Sequence, residues 1–169
     1  MSTSDVPGRQ TDVRKPSVDA SAAAVPRPFR SGPEAETAAY GSPERPRVLV
    51  FEDDFLVSSE IEAALTEAGF NVVGVAASAE DGIALASALH PAVAVMDIRL
   101  AGPRDGIDAA LELFRTRGLR CVFATAHMDA EARRRAAPAQ PLGWLQKPYA
   151  MASLVHAVEA AVAQLKQNR

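Results

Sequence analysis

Ala92-Val93-Ala94-Val95-Met96-Asp97 decides the fold: five apolar residues in succession, closed by a carboxylate. A run this short, with no polar alternation, reads as a strand buried on both faces, the mark of a parallel sheet. Its last residue emerges at the carboxyl edge, where open α/β sheets bind their ligands. Three further runs end in the same manner. Arg47-Val48-Leu49-Val50-Phe51 leads into Glu52-Asp53-Asp54, Cys121-Val122-Phe123-Ala124 into Thr125, and Leu142-Gly143-Trp144-Leu145-Gln146 into Lys147-Pro148. An acidic pair, a lone Asp, a hydroxyl and a Lys-Pro step are thus set at four strand ends, which a parallel sheet brings together.

Between these runs the apolar residues change to helical spacing, so that five strand-helix units fit from Arg47 onward. Val57, Ile61, Leu65 and Ala68 form the first stripe, stopped by Gly69. Asn71 to Ala76 is the second strand. Ser78 with Asp81 resembles a capping box, and the helix it opens is expected to turn Ile83, Ala86 and Leu89 inward before His90-Pro91 ends it. Ile107, Ala110, Leu111 and Phe114 mark the third helix, closed by Arg115, Arg117 and Gly118. The fourth, within Asp129 to Ala137, has almost no large apolar side chain and is expected to be short. Leu154, Val155, Val158, Val162 and Leu165 give the fifth a clear buried face. The expectation is an α/β protein with a doubly wound, five-stranded parallel sheet.

Residues 1 to 46 hold seven of the chain's 12 prolines, with six basic and six acidic side chains in balance. With so little apolar surface to offset the entropy of ordering, this stretch is expected to be a disordered tail, leaving 47 to 169 as the domain. A net charge of −3 provides no excess of cations for a polyanion, so nucleic-acid binding is not expected. Cys121, the only cysteine, reads as a packed small hydrophobe. No run is long and apolar enough for a membrane span, and the N-terminus lacks a signal-peptide core. A cytoplasmic protein with no membrane association is the expectation.

Glu52, Asp53 and Asp97 would repel one another if they converged without a counter-charge. A divalent cation meets that need, and oxygen donors from few carboxylates suit Mg²⁺, which keeps several waters. A carboxylate beside such a cation can attack phosphorus, with Lys147 and Thr125 supplying charge and a hydroxyl donor to the transferred group. An X-Pro bond in a tight turn suits the cis form, which at Lys147-Pro148 would fix the backbone that aims the lysine. Asp54 reads as the carboxylate that opens the first helix. Taken singly, each of these residues has an ordinary reading as a helix cap, strand end or turn; their occurrence in order is what is specific.

From Arg47 to Leu165 the chain resembles a response-regulator receiver domain of two-component signalling. The acidic pair matches Glu52-Asp53, the phosphoacceptor Asp97, the switch hydroxyl Thr125, and the lysine before proline Lys147. The resemblance implies a flavodoxin-like (βα)5 fold with strand order 2-1-3-4-5, and Mg²⁺ held by the side chains of Asp53 and Asp97, the backbone carbonyl of Arg99, and Glu52 through water. The switch aromatic is implied at Trp144, where Tyr or Phe is commoner. Phe123-Ala124-Thr125 is similar to a subgroup of stand-alone receivers, although Ala126-His127 stands where that subgroup has Gly-Tyr.

The function so implied is a single-domain response regulator. Its donor would be a histidine kinase or histidine phosphotransfer protein, its output an unknown downstream protein, and homodimerisation an option through the face of the fourth helix, fifth strand and fifth helix. It would not be an enzyme beyond its own phosphotransfer and autodephosphorylation. Two rival functions are disfavoured by particular residues. An aspartyl-phosphate phosphohydrolase has a second Asp two residues after the nucleophile, where this chain has Arg99. A binding module that keeps only the fold would have lost the acids or the lysine, and all are present. His127 reads as a loop histidine within reach of the phosphoryl site, and Arg133-Arg134-Arg135 as a solvated helical face.

Overall fold

The computed structural model describes residues 45–167. The expected tail therefore lies outside the described residues apart from Arg45 and Pro46, and the first strand begins at Arg47, where the domain boundary was expected. Along the chain come β1 (Arg47–Phe51), α1 (Phe55–Glu67), β2 (Asn71–Ala76), α2 (Ala79–Leu89), β3 (Val93–Met96), α3 (Gly106–Arg117), β4 (Cys121–Thr125) and α4 (Ala130–Ala136). A 3₁₀ turn (Ala137–Ala139), β5 (Gly143–Gln146) and α5 (Met151–Gln167) complete it. All strand pairs are parallel, in the order β2-β1-β3-β4-β5.

Alternation along the three central strands sorts the core into two layers. Val48, Val50, Val93, Val95, Val122 and Ala124 face α1 and α5, where they meet Ile61, Leu65, Leu154 and Val158. Leu49, Phe51, Ala94, Met96, Cys121 and Phe123 face the other way, toward α2, α3 and α4. Residues buried on both sides of a sheet must all be apolar, which is why these strands show no polar alternation in sequence. Each fully buried Val, Leu or Phe contributes about 1.5–3 kcal/mol.

Local chemistry sets the helix ends. Asp54 Oδ1 accepts from Leu56 N and Val57 N at 2.8 and 3.1 Å, so it caps α1 as expected. Ser78 caps α2 as expected, its Oγ accepting from Asp81 N at 3.2 Å and donating to Asp81 Oδ2 at 2.7 Å. Gly118 ends α3 with φ +66°, a left-handed cap that glycine adopts without strain. The buried face of α2 differs from expectation. Ala79, Gly82 and Ala86 are buried, whereas Ile83 and Leu89 are only partly so. The ring of Phe51 lies where a side chain at position 82 would project: a Cβ there would fall 1.8 Å from it. The helix is thus seated by its smallest residues. Two strands also start one residue later than expected, at Val93 and Gly143.

Because the chain steps from β1 to β2 on one side and then to β3 on the other, the connections after β1 and β3 leave in opposite directions. A crevice opens at such a switch point, outside the carboxyl ends of the two strands. Glu52 follows β1 and Asp97 follows β3, one on each side of it.

Candidate functional site

The ladder of the sheet continues past the strand ends and fixes the acidic residues. Glu52 N donates to Ala76 O, Asp97 N to Phe51 O and Lys147 N to Thr125 O, each at 2.9 Å. Position is thereby set by backbone pairing, so the side chains arrive at one edge without loop flexibility. Behind Asp97, Gly106 N donates to Ile98 O at 2.8 Å, and a Cβ on Gly106 would lie 1.9 Å from the Asp97 carbonyl oxygen. Only glycine permits α3 to begin this close to the strand end.

Lys147 is the centre of the site. Its Nζ donates to Glu52 Oε2 at 2.6 Å and to Asp97 Oδ2 at 2.7 Å, so one ammonium bridges two carboxylates from adjoining strands. Both acids are nearly enclosed, Glu52 at 4% exposure and Asp97 at 7%. The other carboxylate oxygen of Asp97, Oδ1, accepts from the backbone N–H of Arg99 at 3.3 Å. Thr125 closes β4 fully buried, its hydroxyl accepting from His127 N at 3.1 Å. The Lys147–Pro148 peptide is cis.

The remaining expected residues lie around this triangle. Asp53 is exposed beside Glu52, and the Arg99 side chain is exposed. Among the described residues no three acidic, His or Cys side chains are gathered within reach of one metal ion, while the expected donors, Asp53, Asp97 and the Arg99 carbonyl with Glu52 beside them, all lie at this edge of the sheet. Lys147 provides the counter-charge for two of them. The donor chemistry nevertheless fits Mg²⁺, since every candidate donor is oxygen and that cation needs few protein ligands beside its waters. Trp144, half-buried in β5, stacks on Phe123 with ring centroids 4.5 Å apart. Phe55 and Leu56, which the sequence reading passed over, are large apolar side chains left exposed on the first turn of α1, beside the acidic pair.

Residues 48–159 match the family model described as the response regulator receiver domain. This chain belongs to the response-regulator receiver domain family. The receiver is 33% identical over 121 residues to the transcriptional regulatory protein PdtaR of Mycobacterium tuberculosis, covering 72% of this chain and 58% of that protein. It is 32% identical over 83 residues to the phyllosphere-induced regulator PhyR of Methylorubrum extorquens, 48% of this chain and 31% of that one. The chain therefore spans well under two thirds of these regulators. Among solved structures, the signal receiver domain of a modulated diguanylate cyclase from Desulfovibrio desulfuricans superposes with a TM-score of 0.69 at 32% identity, over 75% of this chain and all of that one. A CheY-like receiver domain protein from Methanospirillum hungatei, at 19% identity, shares the fold with the same TM-score, over 74% of this chain and 99% of that one.

Receivers are signalling modules of two-component systems rather than enzymes in the ordinary sense, and here the electrostatics suit that role. Burial raises the Glu52 carboxyl above its ordinary 4.5, with the Lys147 hydrogen bond opposing. Burial alone would lower Lys147, but its hydrogen bonds to Asp97 and Glu52 outweigh that and hold it above its ordinary 10.5. The difference in depth sets which influence wins: the Glu52 side chain is 3% exposed and that of Lys147 is 23% exposed, so burial prevails at the acid and pairing at the base. The receiver therefore keeps a charged ammonium against Asp97 at neutral pH. Among its described residues no helix is long and apolar enough to cross a membrane.

Proposed function

We propose that Asp97 is the phosphoacceptor of this receiver, taking a phosphoryl group in the cytoplasm from a histidine kinase or histidine phosphotransfer protein. One observation carries the reading: Lys147 Nζ lies 2.7 Å from Asp97 Oδ2 at the switch point of the sheet, while Oδ1 accepts a long 3.3 Å hydrogen bond from the Arg99 N–H. In the transfer a carboxylate oxygen of Asp97 forms the new O–P bond as the N–P bond of the donor imidazole breaks, and the leaving nitrogen keeps its electron pair and takes up a proton. Lys147 neutralises charge on the transferred oxygens, and the Thr125 hydroxyl donates to one of them by turning from its contact with His127 N. Mg²⁺, when bound by Asp53, Asp97 and the Arg99 carbonyl with Glu52 reached through water, supplies further positive charge to the phosphoryl oxygens. Phe55 and Leu56 offer the donor an apolar contact next to the acids. Output is assigned to the face of α4, β5 and α5, which Trp144 joins to the site through β5, and that face would also serve a homodimer.

The test is phosphotransfer from candidate kinases to the wild-type chain and Asp97→Asn in parallel. Labelling of the wild type and none of the variant, with unchanged circular dichroism, is expected because an amide keeps the shape but is no nucleophile. Label trapped equally on Asp97→Asn would overturn the assignment.

A further inference from the structure

Helix α4 spans only seven residues, and its buried side chains are two alanines, Ala132 and Ala136. So little apolar area cannot hold a helix firmly. Two of the three consecutive arginines on it reach other elements and make up the difference, while the third does not. Arg134 pairs with Glu131 on the same helix, both exposed. Arg133 places its Cζ 5.1 Å from the centroid of the Trp144 ring. Arg135 reaches a different element: its guanidinium meets Asp105 Oδ2 at 2.8 Å and Asp108 Oδ1 at 3.3 Å, the N-cap and first turn of α3.

Asp105 is committed to its place, since its other oxygen accepts from Asp108 N at 2.9 Å. It is followed by Gly106, whose N–H donates to Ile98 O at 2.8 Å and which approaches the Asp97 carbonyl so closely that a Cβ there would lie 1.9 Å from that oxygen. A change in the backbone at Asp97 is therefore passed to the first turn of α3, where close packing leaves no space to absorb it. Arg135 holds that same turn. We infer that Arg135 is a latch tying α4 to the N-cap of α3, so that the grip on α4 depends on the state of Asp97 by a route separate from Thr125 and Trp144. The inference rests on the proposed phosphorylation of Asp97. A part-exposed guanidinium suits the task, because the free energy lost when it exchanges a carboxylate for water is small, whereas a buried apolar contact cannot be released so readily.

The experiment follows hydrogen exchange of the α4 amides in the full chain, with Mg²⁺ and beryllofluoride as the phosphoryl mimic and ¹⁹F resonances reporting that the mimic has bound. Without the mimic, Arg135→Gln should exchange roughly threefold faster than wild type, as fits a part-exposed ion pair, Asp108→Asn less so, and Arg134→Gln not at all. With the mimic, wild type and Arg134→Gln should accelerate, while Arg135→Gln should gain little more. Arg135 is 41% exposed, so its variant should fold, and an unchanged melting transition checks this. Exchange in Arg135→Gln equal to wild type without the mimic overturns the latch. Bound mimic that leaves wild-type α4 unchanged, or that accelerates both proteins alike, overturns its dependence on Asp97. If no mimic binds, the phosphoacceptor reading fails instead, and the comparison without mimic still decides whether the tie exists.

Discussion

Helices α4 and α5 both meet strand β5, yet different forces hold them. In α5, 17 residues long, Leu154, Val158, Ala161 and Val162 are buried against the valine side of the sheet. In α4 no side chain larger than alanine is buried, and the helix is kept in place by an aromatic contact and a pair of carboxylates. Apolar burial is non-directional and is lost only by opening the core, whereas charge pairs at the surface exchange with water at little cost. One helix is thus a fixed support and the other an adjustable part, on the same strand.

The largest effect expected from this contrast is at Leu154, which is fully buried. Leu154→Ala should cost about 3 kcal/mol in a urea melt. A loss below about 1 kcal/mol would erase the distinction between the helices. Next comes Tyr149, which packs on the α5 side with its hydroxyl buried and, among the described residues, without a hydrogen-bond partner. Tyr149→Phe should stabilise by about 1 kcal/mol, since it removes an unsatisfied polar atom and little else. Burial pushes this phenol from its ordinary 10.0 up to about 12, with Lys147 opposing. The folded state thus favours the protonated phenol, a contribution fully present below pH 10 and lost as pH rises through about 12. The advantage of Tyr149→Phe should therefore widen above pH 10, and a constant difference across an alkaline melt series would contradict the burial of that hydroxyl. The smallest effect belongs to α4. Arg133→Gln should cost about 0.5 kcal/mol, the scale of an exposed cation–π contact, while changing Trp144 fluorescence measurably. An unaltered spectrum would mean that the guanidinium does not rest on the ring.

How far the sequence carried this picture can be traced residue by residue. The central strands were readable because burial on both faces demands unbroken apolar runs, and Asp97 and Glu52 were placed by the ends of those runs. Asp54 as the α1 cap and Ser78 with Asp81 were readable because capping is local. The seating of α2 was not, since periodicity weighs large side chains and cannot show that Phe51 needs the space beside Gly82. Lys147 was readable as a charge at this edge, but its direct bridge between Glu52 and Asp97 was not, since a pairing across 50 and 95 residues of sequence leaves no local pattern. The arginines of α4 lie on an exposed helical face as expected, but the partners of one of them were not readable. Spacing tells which face of a helix a residue occupies, and Arg135 finds its partners on another helix, a relation that no local pattern encodes.

Gly106 carries no charge, donates no side chain and would be passed over in any inventory of reactive groups. Yet the Asp97 carbonyl occupies the space where its Cβ would stand. In a saturation library scored for signalling, position 106 should be as intolerant as position 97, with every one of its substitutions depleted, alanine included. A map of sensitive positions in this protein would thus mark as essential a residue with no reactive group, only because it leaves room for the proposed phosphoacceptor.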